Sequence, residues 1–317
     1  MRLIQCAMAC AFCVQGFAVT PSVISGTTAT KAPENAITIA ERQAKREARY
    51  LHHIYDQTKR ATAHGYNVNG VHVTLDPAVI KSMQKGTKVS YNPKPIPHGQ
   101  DFFKTQIVVS SRDQVTAGAT YLAKGFTTVL LNTAHRRDPG DNVWGGKLNM
   151  EANFFRVSDY FKSLLPWQNK TLKKQLKGGK YEVPTYGVIY SPNVFVFRDT
   201  QSRNFLFLAT PLQFNFVAST PFSIHQVGHE KFRRGMKQKI RAIFRSAWAG
   251  GNQVVVLSDY EVYQHHNNPK QVASLFREVL EEDEFKGVFA TVDFAIAVSP
   301  DTKLFISFSR QLDGLKQ

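Results

Sequence analysis

Cysteine is almost absent from this sequence. The 317 residues hold three, and all of them (Cys6, Cys10 and Cys13) stand in the first stretch of the chain. A chain cleaved after that stretch has no disulfide framework and no cysteine-based zinc site. Acidic residues are missing from the same stretch, since the first is Glu34. Over the whole chain 24 acidic residues face 40 basic ones, giving a net charge of +16. That imbalance favours anionic partners, such as nucleic acid, acidic membranes, nucleotide diphosphates or acidic proteins, without choosing among them. Long apolar runs are lacking as well. Residues 3–19 are apolar but are broken by Gln5 and Gln15. No later run reaches about 18 residues, so the mature chain is expected to carry no integral membrane span. Internal repeats are not found.

What is present suits one large α/β domain, or one domain with an added segment. Hydrophobic content of 43% and charged content of 20% are ordinary for a chain that buries a sizeable core. The basic start at Arg2, the apolar middle and the small Ala18 read as a signal peptide over 1–20, cleaved near Ala18 or Thr20. On that reading the protein is secreted or extracytoplasmic; the alternative is a buried amino-terminal segment. Residues 21–37, rich in Ser, Thr, Ala and Pro, read as a linker. Thr38 and Glu41 have capping-box spacing and predict a helix from there to about Ala63, ended by Gly65. It is heavily basic, with Arg42, Lys45, Arg46, Arg49, Lys59 and Arg60.

Alternation of strand and helix follows. A strand over 104–110, a helix over 111–124 opened by Ser111 and Gln114, and a buried strand over 126–132 make a βαβ unit, which implies parallel pairing. After a polar loop, Met150, Phe154, Val157 and Phe161 mark one stripe of a helix. The Lys-rich stretch 167–182 reads as an exposed insertion, with a glycosylation sequon at Asn169. Strands are expected at 187–190, 194–197, 205–209, 253–257 and 288–298. Helices are expected over 229–248, burying Phe232, Met236, Ile240 and Ile243, and over 269–280, with Pro269 in its first turn. Residues 304–308 form one more apolar segment. The fold class is α/β, in three α/β/α layers.

Specific motifs join this pattern. Leu131-Asn132-x-Ala134, then Pro139-Gly140-Asp141-Asn142, then Met150-Glu151-Ala152 after seven residues, resembles the first ligand loop and glutamate pair of microbial-type poly(ADP-ribose) glycohydrolases. Arg156 and Ser158 keep that family's spacing. The segment Tyr190-Ser191-Pro192-Asn193-Val194-x-Val196-Phe197-Arg198-Asp199 is similar to its YSPxVxVFRD motif, and 256–273 and Phe294-Ala295-Ile296 match its second loop and closing strand. The resemblance covers about 40–312. It implies a macrodomain-like mixed sheet over 101–317 with an N-terminal helical extension over 38–100. It also implies a cleft for ADP-ribose or an ADP-ribosylated protein, and metal-independent glycosidic hydrolysis without a cofactor.

In that family two glycine loops let backbone N–H groups approach a diphosphate. Two adjacent glutamates follow; one orients the ribose and the other serves as general acid and then base. This sequence departs from the pattern. Only Gly140 remains in the first loop, where Asp141 adds a repelling carboxylate and Asn142 follows. The second loop reads Tyr260-Glu261-Val262-Tyr263-Gln264-His265, without glycine. The glutamate pair is reduced to Glu151, with Ala152 in the place of the acid. A loop one residue shorter would slide Glu151 into that place, but the offset to Arg156 and Ser158 argues against the shift. Glu151 is therefore the one catalytic candidate, against a plain helix residue or ribose contact. Asn132, Ala134, Gly140, Asp141, Asn142, Tyr260, Val262, Tyr263 and His265 are the ligand-binding candidates. Asn132 is equally readable as a loop cap, and His265 as an exposed loop residue. Asp259 and Glu261 form a weaker carboxylate pair.

Three functions compete: an ADP-ribose glycohydrolase with unusual loops, a secreted non-catalytic binding module, and a basic protein that binds an acidic polyanion. For the last, Lys231, Arg233, Arg234, Lys237, Lys239, Arg241 and Arg245 crowd one helix, though basic helix faces are commonly only solvated. No interleaved aromatics stand there for base stacking.

Overall fold

The computed structural model describes residues 34–97, 99, 102–260 and 262–315. The stretches expected as a signal peptide (1–20) and, for the most part, as a linker (21–37) lie outside the described residues, as does Glu261. The chain divides into two compact units, 1–43 and 44–317. Of the first unit only the start of a helix is described; the strands and all the later helices belong to the second.

Helix α1 (Glu34–His64) begins four residues before the expected Thr38 start. It leads into a hairpin of β1 (Tyr66–Val68) and β2 (Val71–Val73). Asn69 and Gly70, both with positive φ, make its turn, a backbone that Asn-Gly adopts readily. Next come α2 (Pro77–Gly86), β3 (Lys88–Ser90), β4 (Gln106–Ser110), α3 (Gln114–Leu122) and β5 (Thr128–Thr133). They are followed by α4 (Met150–Val157), α5 (Phe161–Leu164), α6 (Lys170–Gln175), β6 (Val188–Arg198) and β7 (Phe207–Ser219). The chain ends with α7 (Ile224–Val227), α8 (His229–Ala249), β8 (Val254–Leu257), α9 (Pro269–Leu280), β9 (Thr291–Ala295) and α10 (Lys303–Leu312).

Seven strands form one mixed sheet in the order β3-β6-β7-β5-β8-β9-β4. The run from β7 to β4 is parallel, and β6 and β3 add antiparallel edges. The central parallel strands are buried on both faces, as their continuous apolar runs require; every residue of β5, β8 and β9 is buried, whereas the edge strand β4 is not. Helices α1 to α6 contribute to the core on one face, around Tyr55, Phe155, Phe161 and Leu172. Helices α8, α9 and α10 cover the other, through Phe232, Ile243, Phe276 and Phe308. This is the three-layer macrodomain-like architecture. Among the described residues no helix is long and apolar enough to cross a membrane.

Several expectations are corrected. The strands β4 and β5 are parallel as read, but β8 and β9 lie between them in the sheet. The helix between them is capped by Asp113, whose carboxylate accepts from the Thr116 N–H at 2.9 Å, so α3 starts later than Ser111. Segments 187–190 and 194–197 are one strand; Asn193, at φ 53, makes a bulge where the register on β7 shifts. Residues 304–308 lie in α10. The region 38–100 is not purely helical, since it also supplies the hairpin and the edge strand β3.

The stretch 167–182 is no exposed insertion. It contains α6 and buries Leu172, Leu176 and Tyr181. Asn169 is only 1% exposed. Its Nδ2 donates to the Ser163 carbonyl at 3.0 Å, and its Oδ1 caps α6 by accepting from the N–H groups of Thr171 and Leu172. That side chain is not presented for glycosylation in the folded protein.

Candidate functional site

Parallel strands in an open α/β sheet place their carboxyl ends, and the loops that follow, along one edge, where ligands of such folds gather. Here that edge carries the loop after β5, the loop after β8 and the ends of β4 and β9.

The loop after β5 keeps a glycine-like backbone with one glycine. Gly140, Asp141 and Asn142 all have positive φ, at 87°, 42° and 59°. Gly140 is required, because a Cβ there would lie 2.7 Å from the Phe155 ring. Asp and Asn tolerate this region better than other residues with side chains, and local bonds hold them in it. The Asn142 N–H donates to Asp138 Oδ2 at 3.0 Å, and Asn142 Oδ1 accepts from the Gly145 N–H at 3.2 Å. The Asp141 carboxylate is not unpaired: Lys147 Nζ sits 2.7 Å away, and Asn149 Nδ2 donates to it.

Glu151 stands in the first turn of α4, whose cap Asn149 accepts from the Ala152 N–H at 2.8 Å. It turns inward and is 1% exposed. Asn132 Nδ2 donates to Oε1 at 3.0 Å, and the His135 N–H donates to Oε2 at 2.9 Å. Burial pushes the Glu151 pKa up to about 8, against the pull of these donors. Glu151 thus ties the end of β5 and the start of the loop to α4. Ala152 beside it is fully buried in the core. Asn132 is itself buried, with Tyr160 Oη 3.5 Å from its Nδ2.

The loop after β8 is filled by its own side chains. Tyr260, at φ 59, is buried against Phe276, with its hydroxyl 2.6 Å from Ser219 Oγ. Val262 is buried as well. Asn267 ties the loop to the chain before α7, accepting from the Ile224 N–H at 3.0 Å and donating to the Phe222 carbonyl at 2.7 Å.

Beside these loops lies an open cavity of about 1080 Å³. Its polar wall includes Ser111, Arg112, Asp113, Ser258 and Asp259; its apolar wall includes Phe154, Val157, Ile296 and Leu304. Arg112 Nη2 lies 3.4 Å from Asp293 Oδ2. Asp293 is buried in the middle of β9 and also accepts from Ser110 Oγ at 2.8 Å and Tyr121 Oη at 2.9 Å. Burial raises its pKa, opposed by those two hydroxyls and by the Arg112 charge.

With this geometry in view, comparison with known proteins is specific. The family model "Microbial-type PARG, catalytic domain" matches residues 55–199. A poly(ADP-ribose) glycohydrolase from Thermomonospora curvata superposes with a TM-score of 0.68 at 23% identity, over 82% of this chain and 98% of that one. Its complex with the inhibitor ADP-HPD gives 0.67 at 24% identity, with the same coverage. The Deinococcus radiodurans glycohydrolase in complex with ADP-ribose gives 0.62 at 23%, over 77% of this chain and 100% of that one. No curated protein matches the sequence.

The chain is microbial PARG-like.

In this PARG-like chain the candidates read from sequence divide into groups. Asn132, Ala134, Gly140 and Glu151 are brought together, but buried. Asp141 faces Lys147 and Asn149. Tyr260 and Val262 belong to the core under the second loop rather than to its surface. Asn142 and Tyr263 are exposed, and His265 is half-buried. Arg112 and Asp293 carried no motif, although Ser258, Asp259, Ala295 and Ile296 of the cavity wall fall in segments that the resemblance matched. A lone Asp inside the apolar 288–298 run was the available signal. His135, Asp138 and Asp141 place ligand atoms within 4.8 Å of one another. Yet His135 Nδ1 accepts from the Asp138 N–H at 2.9 Å, and Lys147 already supplies the cation.

The basic face of α8 is largely neutralised. Arg233 pairs with Glu278, Lys237 with Glu278 and Glu282, Arg241 with Glu282 and Arg245 with Glu284. Lys239 is buried, its Nζ donating to the Thr185 carbonyl at 2.5 Å.

Proposed function

We propose that this PARG-like chain is a macrodomain module that binds an ADP-ribose-type ligand and does not hydrolyse glycosidic bonds. The state of its carboxylates carries the reading. A general acid must reach the leaving oxygen at about 2.6–3.2 Å. Glu151 has both oxygens engaged, by Asn132 and by His135, and is 1% exposed. Ala152, in the neighbouring position, has no proton to give. Asp113, on the cavity wall, is occupied in capping α3 through Thr116.

Binding is supported by the open cavity, which pairs an apolar wall suited to a base with hydroxyls and an Arg112 guanidinium suited to ribose and phosphate. Two relatives of the same fold are described with ADP-ribose and with ADP-HPD. The neutralisation of Asp141 by Lys147 removes much of the repulsion its charge would offer a diphosphate. The amino-terminal pattern adds export to the proposal, to be tested by sequencing the amino terminus of protein recovered outside the cell. Calorimetric titration with ADP-ribose, alongside an assay for release of ADP-ribose from modified protein, tests the rest. Heat of binding without release supports the proposal; no binding, or release by the wild-type protein, defeats it.

A further inference from the structure

The sheet ends differently at its two edges. At one stands β3, only three residues long, with exposed Lys88 in it and Pro93, Pro95 and Pro97 after it. Its outward backbone is already occupied. The Val89 N–H donates to Gln175 Oε1 at 2.8 Å, and Gln175 Nε2 donates to the Thr87 carbonyl at 2.8 Å. The Gln175 amide thus takes the place that another strand would fill. Short length, lysine and proline are devices by which proteins guard an edge against pairing.

At the other edge stands β4, with none of these devices. It is five residues long, Gln-Ile-Val-Val-Ser, and pairs with β9 in unbroken register, without Lys, Pro or bulge. The Gln106 N–H donates to the Ala290 carbonyl at 3.0 Å, and the Ser110 carbonyl accepts from the Ile296 N–H at 2.8 Å. Alternation along the strand then aims the backbone groups of Gln106, Val108 and Ser110 at β9, and those of Ile107 and Val109 away from the sheet. Among the described residues no backbone partner meets these outward groups.

Along this edge runs a groove of about 300 Å³, between Ile107 and Val109 and the α10 side chains Ser309, Arg310, Leu312 and Asp313. Arg310 and Asp313 are exposed, and neither has an ion partner among the described residues. The end of α10 is held in place by α9, where Arg277 Nη1 donates to the Gln311 carbonyl at 2.8 Å. The edge therefore presents an apolar β-branched stripe, a row of open backbone groups and one charge of each sign. A second copy related by a two-fold axis carries the same set in reverse order, which is what a self-complementary interface requires.

We propose that β4 is a homodimer edge, where two copies pair antiparallel about Val108 and Arg310 of each meets Asp313 of the other. Ile107 then lies opposite Val109 of the second copy, and the pair exchanges both backbone hydrogen bonds, with β-branched side chains facing one another. The two sheets become one. Because the β3 edge is guarded, association stops at the dimer. A strand this short, with its flanking groove, lies at the low end of interface sizes, so the dimer is reversible. The residues of this interface do not line the cavity, and the proposal does not depend on ADP-ribose binding there.

Sedimentation velocity of the full chain, run from about 1 µM to about 200 µM to bracket a weak dimer, tests this. The expected result is a shift from monomer to dimer as concentration rises. Arg310→Asp and Asp313→Arg each place like charges together and should raise the dissociation constant about tenfold or more. The double variant exchanges the two charges and should return it to within about threefold of wild type. Val109→Pro removes an outward N–H at an edge position, where proline is tolerated; it should abolish the dimer while the melting temperature stays near that of wild type. A monomer at every concentration, oligomers larger than a dimer, or a dimer that the single charge reversals leave intact would overturn the proposal. So would a double variant no tighter than the single ones.

Discussion

Replacing Glu151 by Gln probes the residue that joins the loop to α4. The carboxyl is buried and has an N–H donor on each oxygen, from Asn132 and from His135. An amide offers one acceptor oxygen, and its NH₂ cannot accept, so at least one donor loses its partner. That costs about 1–3 kcal/mol. The pH dependence separates this from a generic defect. Burial raises the Glu151 pKa from 4.5 to about 8, so the folded state holds the proton more tightly than the unfolded chain. The stability this contributes is fully present below the unfolded value and is lost as pH rises through the folded one. Wild type should therefore lose up to roughly 5 kcal/mol from this group between about pH 4.5 and pH 8. Gln has no proton to lose. Asp159, also raised to about 8 by burial, remains in both proteins and cancels in the comparison. Urea unfolding at about pH 5 and about pH 9 should show the variant less stable at the lower pH and the gap narrowed or inverted at the higher. A gap that stays the same at both pH values would refute the inward, protonated carboxyl.

Other substitutions give separate readings. Ala152→Glu should not create hydrolytic activity, because the position is fully buried in the core; it should lower stability by about 3 kcal/mol or more, read by thermal unfolding. Asn169→Ala removes the cap of α6 and the bond to Ser163, and should cost about 1–3 kcal/mol by the same assay. Ala297→Trp places a ring in the cavity from an exposed wall position. It should weaken ADP-ribose binding at least about tenfold while leaving the unfolding temperature near that of wild type, as calorimetry and thermal melts would show.

Much of the fold was legible because its signals are local. The apolar β-branched run at 126–132, the capped helix before it and the 3.6-residue stripe through Phe232, Met236, Ile240 and Ile243 each report their own burial. What was not legible depends on distant partners. The bases of α8 read as a polyanion surface because Glu278, Glu282 and Glu284, which pair with them, come about 40 residues later. The Lys-rich stretch 167–182 looked exposed by composition, yet Leu172, Leu176 and Tyr181 carry its packing. At the site, the family resemblance singled out Glu151 and Asn132 but could not say that the carboxyl turns inward. The left-handed backbone of Asp141 and Asn142 replaces glycine in conformation while adding side chains, which a reading by residue type records only as loss.

The central claim is retention of ligand binding without hydrolysis, and one paired measurement tests it most directly. The full chain is titrated calorimetrically with ADP-ribose, and the same preparation is incubated with ADP-ribosylated protein while free ADP-ribose is measured. The account predicts saturable binding and no release above the level of a protein-free control, with Glu151→Gln indistinguishable from wild type in the release assay. Release by wild type that Glu151→Gln abolishes would contradict it.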